Sequence, residues 1–289
     1  MRGIKGYVTI IAVIFAMLLI VSFKVKKQES DVKVIHVFVA LCDNKFQWIV
    51  PVPEKIGNGK DLKNNLYWGC GYGVKMFFKN KSLNWNIVKS SLNPSTNVLE
   101  RVVYKHKTKN VYLVADAYDG EFIKQTTIDF FDASAGNKPI EIKLDNHKTI
   151  IAGGASNLIC YVGHDGLMDF QISNYPNAQN KNKRETIILA CYSKSYFSEG
   201  IKKTGASPLI WSTGLMSPEA YTLEGAINGW IEGKSNEEIR TLAAQAYCKY
   251  QKTCALKSAK RLLVTGWYIS WKVIIFTICA FFKWFYLVN

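Results

Sequence analysis

Five short apolar runs punctuate the middle of the chain: 34–42 (VIHVFVALC), 110–115 (NVYLVA), 157–162 (NLICYV), 186–191 (TIILAC) and 208–212 (PLIWS). Each is continuous rather than alternating and rich in β-branched residues. That is the pattern of a strand buried on both faces within a parallel sheet. Helical spacing falls between and after these runs. Residues 122–131 predict a short helix behind the turn Asp119-Gly120, whereas three glycines interrupt the helical spacing of 66–79 (LYWGCGYGVKMFFK). Ser217-Pro218-Glu219 supplies a capping hydroxyl, a proline at the first helical position and an acid in the first turn; Ala220, Leu223, Ile227, Trp230 and Ile231 then share one face. Ser235 with Glu238 three residues later forms a capping-box pattern, followed at helical spacing by Ile239, Leu242, Ala243, Ala246, Tyr247 and Tyr250. Strands interleaved with helices predict an α/β domain over residues 34–255, a three-layer, mostly parallel sheet with helices on both faces.

Both ends of the chain depart from this pattern. Residues 7–23 (YVTIIAVIFAMLLIVSF) carry no charge and would span about 25 Å as a helix, just short of a bilayer core. A cleaved signal peptide ends in small residues, yet this run ends Val21-Ser22-Phe23-Lys24. Residues 1–27 therefore read first as an uncleaved membrane anchor, second as a signal segment and third as a buried core helix. Arg2 and Lys5 precede the run and Lys24, Lys26 and Lys27 follow it. The heavier following side favours a cytoplasmic domain, the signal-like beginning favours export, and both sides stay open. Residues 267–289 are again apolar and aromatic, with Lys272 and Lys283 bracketing VIIFTICAFF. Either a second membrane contact or packing onto the domain fits them.

Composition narrows the classes. The 289 residues are 48% hydrophobic and 20% charged, which excludes disorder. Seven cysteines are too few and too scattered for a small disulfide scaffold, and Cys248 and Cys254 lack the histidines of a zinc site. The net charge of +15 comes from lysines spread along the chain, without an arginine-rich helix or a nucleic-acid-binding motif. Solvated lysines, some beside anionic lipid, explain it better than a specific nucleic-acid partner.

The candidate chemistry lies at two strand ends. The run 157–162 leads into Gly163-His164-Asp165-Gly166, and 186–190 ends on Cys191. Ligands of open α/β sheets bind beyond the carboxyl ends of the strands. If the two strands are neighbours, His164 can take the proton of Cys191, and flanking glycines let a substrate carbonyl approach backbone N–H groups. Such an imidazole would also lower the thiol pKa. Taken singly, a strand-end cysteine is more often a small core residue and a histidine a turn residue; their joint placement favours a functional pair. Gly69, Gly71 and Gly73 lack phosphate-loop spacing, Cys42 reads as core, and no glycine-flanked serine elbow is present.

These motifs, LICYVGHDG (158–166) and TIILACYS (186–193), resemble the caspase-like cysteine peptidases: caspases, legumains, clostripain and gingipains. PLIWSTGLMSPEAY (208–221) is similar to the following strand and loop, which in that group shape the pocket for the residue before the scissile bond. The resemblance implies a peptidase without a cofactor, acting on a peptide or protein substrate. His164 would be the general base and Cys191 the nucleophile. Backbone N–H groups of Asp165 or Gly166, and of Cys191, would hold the oxyanion, and Ser212 and Thr213 would line the substrate pocket. Apart from the resemblance, Asp116 and Asp119 follow the second strand; solvated turn acids are the default reading, a lining of the same pocket the alternative. Two features depart from the group: Asp165 separates His164 from Gly166, and the 27-residue interval to Cys191 reads as loop rather than helix. A non-catalytic binding module of the same fold in a membrane complex is the second reading, and a Rossmann-like nucleotide- or phosphate-binding protein the third. Oligomeric state is not readable from these features.

Overall fold

A computed structural model describes residues 32–48, 50–145 and 147–267. The expected anchor at 7–23 lies outside these residues, as does the apolar C-terminal segment apart from Trp267. No helix among the described residues is long and apolar enough to cross a membrane.

The centre is an eight-stranded mixed sheet, mostly parallel. In chain order its strands are β1 (Lys33–Ala40), β2 (Trp85–Ser95), β3 (Val98–His106), β4 (Val111–Tyr118), β7 (Leu158–Val162), β8 (Glu185–Leu189), β9 (Ser207–Ser212) and β10 (Leu263–Val264). Their spatial order is β10-β9-β8-β7-β1-β4-β3-β2. β4, β1, β7, β8 and β9 run parallel, flanked by antiparallel β3 and β2 on one side and β10 on the other. β5 (Pro139–Lys143) and β6 (Thr149–Gly153) form a separate hairpin. The five apolar runs are these five parallel strands. The sheet itself continues past residue 255 to β10.

Alternate residues of β1 feed two cores, as a period of two requires. Ile35, Val37 and Val39 face α1 (Val74–Asn80), α4 (Ala220–Ile231) and α5 (Asn236–Tyr250). Phe38 and Ala40 face α2 (Ile123–Ala135) and α3 (Ser193–Thr204) on the other side. There Phe197 lies 5.4 Å from Phe131, 5.4 Å from Tyr161 and 5.8 Å from Phe130, ring centre to ring centre. Fully burying side chains of this size contributes about 1.5–3 kcal/mol each.

The local expectations have mixed outcomes. The glycine-interrupted stretch is turns up to Gly73, and only Val74–Asn80 is helical. The helix expected at 122–131 runs from Ile123 to Ala135, where Gly136 ends it at φ 91°. Ser235 and Glu238 do form a capping box on α5. Ser217, in contrast, caps nothing: α4 begins at Ala220 behind Glu219, and the preceding residues are drawn to other partners, Met216 to Cys191 and Ser217 N–H to the Tyr247 hydroxyl at 3.3 Å. Finally, Cys248 and Cys254 are joined as a disulfide that ties the end of α5 to the turn before α6 (Leu256–Leu262).

Candidate active site

β7 and β8 are adjacent and parallel, as the two strand-end residues require. Their register runs from Leu158 opposite Glu185 to Val162 opposite Leu189, and Gly163 N–H donates to the Leu189 carbonyl at 3.2 Å. His164 and Cys191 each lie two residues beyond the carboxyl ends of these neighbouring strands. The 163–184 connection carries only a single 3-10 turn, so the loop reading of this segment holds.

The histidine is held from several directions. Gly163 has φ 154°, and a Cβ there would meet the Ala40 carbonyl at 2.9 Å, so no side chain fits. The Tyr161 hydroxyl donates to the His164 carbonyl at 2.8 Å. Asp165 then caps the 3-10 turn Gly166–Met168, its Oδ1 accepting from Leu167 N–H at 3.0 Å. That turn returns the chain so that Asp169 Oδ2 lies 2.6 Å from His164 Nε2. A carboxylate can only accept, so the contact keeps the hydrogen on Nε2 and leaves Nδ1 as the basic nitrogen. Asp169 had no sequence signal beyond being an acid five residues after a histidine. The residue separating His164 from Gly166 is the one that builds the turn bringing Asp169 back.

Cys191 is half-buried where β8 passes into α3. Tyr192 takes the left-handed conformation at φ 49°, which turns the chain sharply into the helix. Ser193 and Ser212 brace that turn: Ser193 N–H donates to Ser212 Oγ at 3.1 Å, Ser212 N–H donates to Ser193 Oγ at 2.9 Å, and Ser212 Oγ donates to the Ala190 carbonyl. The loop after β9 then closes over the thiol. Met216 N–H donates to Cys191 Sγ at 3.4 Å, and Sγ lies 3.6 Å from the Met216 carbonyl.

One carboxyl near this pair behaves differently from a simple surface acid. Asp165 is buried, its Oδ2 has no hydrogen-bond partner, and burial pushes its pKa up to about 7. The thiol of Cys191 is also pushed up, first by burial and further by Asp165, with the Met216 N–H opposing. The lowered thiol pKa expected from a neighbouring imidazole is therefore not what this arrangement produces. A buried site without a fixed cation beside the sulfur favours the neutral thiol.

The remaining sequence candidates fall into place as structure. The strand expected to stop at residue 115 runs on to Tyr118, so Asp116 is inside β4, fully buried and held by Arg101 and His36 rather than lining a pocket. Ser212 is buried in the brace described above. Thr213 is exposed, and its hydroxyl donates to the Arg261 carbonyl at 2.8 Å. Gly166 packs against the Phe170 ring. Cys42 is core, with burial pushing its thiol up to about 12. Gly69 and Gly73 pack against the backbone of Lys63 and Trp68. A cavity of about 510 Å³ lies beside α1, away from His164 and Cys191; its Glu100 is already held by Trp68, Lys75 and Ser90.

No family model matches the chain, and neither curated proteins nor solved structures give a significant match. The reading of the site rests on its geometry.

Proposed function

We propose that this protein is a membrane-attached cysteine peptidase of caspase-like architecture. The single observation that supports the reading is the parallel pairing of β7 with β8, the strands that lead into His164 and Cys191 at one sheet edge, with Asp169 Oδ2 2.6 Å from the imidazole. In the proposed reaction Cys191 Sγ attacks the peptide carbonyl carbon while its proton passes to His164. Because burial keeps the resting thiol neutral, proton removal accompanies attack rather than preceding it. The C–N bond then breaks, His164 returns the proton to the leaving amine, and the acyl group stays on sulfur as a thioester. Water, deprotonated by His164, hydrolyses that thioester and restores the thiol. Backbone N–H groups of Asp165 or Gly166, and of Cys191, would hold the oxyanion. No cofactor enters these steps, and the substrate is a peptide or protein.

Attachment is assigned to the uncharged run 7–23, whose length suits a bilayer. The Cys248–Cys254 bridge favours an oxidising side of that membrane.

The second reading is a non-catalytic binding module of the same fold. The contacts of Cys191 Sγ with the Met216 backbone favour it, because a substrate carbonyl has to displace that loop. A peptidyl acyloxymethyl ketone separates the two. The peptidase reading expects covalent labelling of Cys191, located by peptide mass mapping, and loss of labelling in Cys191→Ala and His164→Ala. An unlabelled Cys191, with a panel of peptide substrates left intact, supports the binding module.

A further inference from the structure

The parallel strands give the sheet two unlike edges. The carboxyl edge holds His164 and Cys191. At the opposite, amino edge the described chain both begins and ends. β1 starts there at Lys33, and β10, antiparallel to β9, returns the chain there, with Gly266 N–H donating to the Pro208 carbonyl at 2.9 Å. The described residues nearest in sequence to the two strongly apolar stretches, 7–23 and 273–282, therefore lie at one edge.

That edge has the chemistry of a lipid headgroup surface. Exposed lysines come from four separate segments: Lys33 at the start of β1, Lys107 and Lys109 in the β3–β4 turn, Lys181 and Lys183 in the loop entering β8, and Lys202 at the end of α3. Acids at this edge already have partners. Glu185 accepts from Trp230 Nε1 at 2.7 Å, Glu199 pairs with Lys203 at 3.3 Å, and Glu232 pairs with Lys234 at 3.8 Å. Two apolar side chains project among the lysines. Leu83, before β2, is 82% exposed, and Trp267, the last described residue, is 41% exposed with Lys202 Nζ 5.6 Å from its ring. A partly exposed tryptophan beside a lysine, next to an apolar stretch, is the pairing found at membrane–water boundaries. Clustered lysines adjoining such a stretch attract anionic headgroups.

We infer that the amino edge of the sheet lies on an anionic lipid surface, which holds the His164–Cys191 edge away from the bilayer. A substrate would then approach from the aqueous side rather than from the membrane plane. The inference rests on the membrane attachment proposed above and is independent of the peptidase chemistry. Its rival places the cleft-edge loop containing Trp48 and Val50, each 88% exposed, against the lipid instead.

Lysine acylation of the full-length chain tests it, first in the wild type and then in a charge-reversed variant. The protein is reconstituted into phosphatidylcholine vesicles, with or without about 30% phosphatidylglycerol, and recovered by flotation. An impermeant acylating reagent is applied, and each lysine's rate is compared with its rate in detergent. On anionic vesicles Lys107, Lys109, Lys181 and Lys183 should slow about fivefold or more relative to Lys45, Lys55 and Lys63 of the loop after β1. The effect should shrink on neutral vesicles. Replacing those four amino-edge lysines with glutamate should remove the protection of Lys202. Equal rates at the two edges, slower reaction at Lys45 and Lys55, or protection that ignores lipid charge would each overturn the edge assignment. A chain that does not float overturns the attachment itself.

Discussion

His36 and His164 each meet a carboxylate, Asp116 at 3.1 Å and Asp169 at 2.6 Å, yet the two pairs occupy opposite situations. His36 is sealed inside the sheet. Its Nδ1 accepts from Gly153 N–H at 3.1 Å, so its lone pair is already engaged, and Asp116 is gripped by Arg101 through two contacts of 2.6 Å. His164 lies past the end of β7, with its carboxylate on one nitrogen and the cysteine strand beside it. A histidine–aspartate contact is thus no indicator of chemistry by itself. What separates the two is place: His36 lies inside a strand with both ring nitrogens engaged, whereas His164, though buried, lies beyond the carboxyl end of β7, the edge where open α/β sheets bind ligands. The buried carboxyls sharpen the contrast. Burial alone would push Asp116 up, but His36 and Arg101 together hold it below the usual carboxylate range, whereas Asp165 has no cation and rises to about 7.

The largest expected effect comes from breaking the sealed pair. Asp116→Asn leaves Arg101 buried without its counter-charge and should cost about 3–5 kcal/mol in urea unfolding. The sign of the pH dependence follows from the depressed folded-state pKa. The carboxylate's stabilisation is whole above about pH 4 and is lost as pH falls below it, so the wild type should lose more stability on acidification than the variant. Unchanged stability would remove the structural role given to this pair.

Asp165→Asn should act with the opposite sign. A folded-state pKa raised to about 7 means that the wild type loses stability as pH rises from about 4 to about 7, because only the unfolded chain gives up its proton there. The asparagine variant lacks that penalty and should gain on the order of 2–4 kcal/mol relative to wild type between pH 4 and pH 8. It should also make Cys191 more easily deprotonated, since Asp165 is one of the groups pushing the thiol up. Parallel stability curves for the two proteins across that range would contradict the assignment.

A smaller effect is expected from Asp169→Asn, which keeps an acceptor near Nε2 but removes the charge. Peptidase turnover should fall about tenfold with KM unchanged, the pattern of a positioning residue acting through His164. A change in KM alone would make Asp169 a substrate contact instead.

The same contrast explains what could be read from the chain beforehand. The five parallel strands were legible because burial on both faces makes their sequences continuous apolar runs. β2 was not: it is an edge strand whose side chains are mostly solvent-facing, WNIVKSSLNPS, and it carries Pro94. β10 is two residues long and exists only because β9 offers an open edge. His164 and Cys191 were legible as strand-end residues, but the adjacency of their strands needed the strand order, which no local pattern encodes. Asp169 was hidden because its approach depends on the turn that Asp165 caps. Asp116 was misplaced for a related reason. A strand interior normally excludes an acid, and only Arg101 and His36, 15 and 80 residues away in sequence, make it tolerable there.

The central claim is that His164 acts on Cys191, and alkylation of that thiol measures it most directly. Iodoacetamide labelling of Cys191 in the full-length chain is followed by mass spectrometry at neutral pH, in wild type and in His164→Ala, with Cys70 as the internal reference. General-base assistance predicts that wild-type Cys191 reacts at least about tenfold faster than in the variant, while Cys70 is unchanged. Equal Cys191 rates in the two proteins would contradict the account.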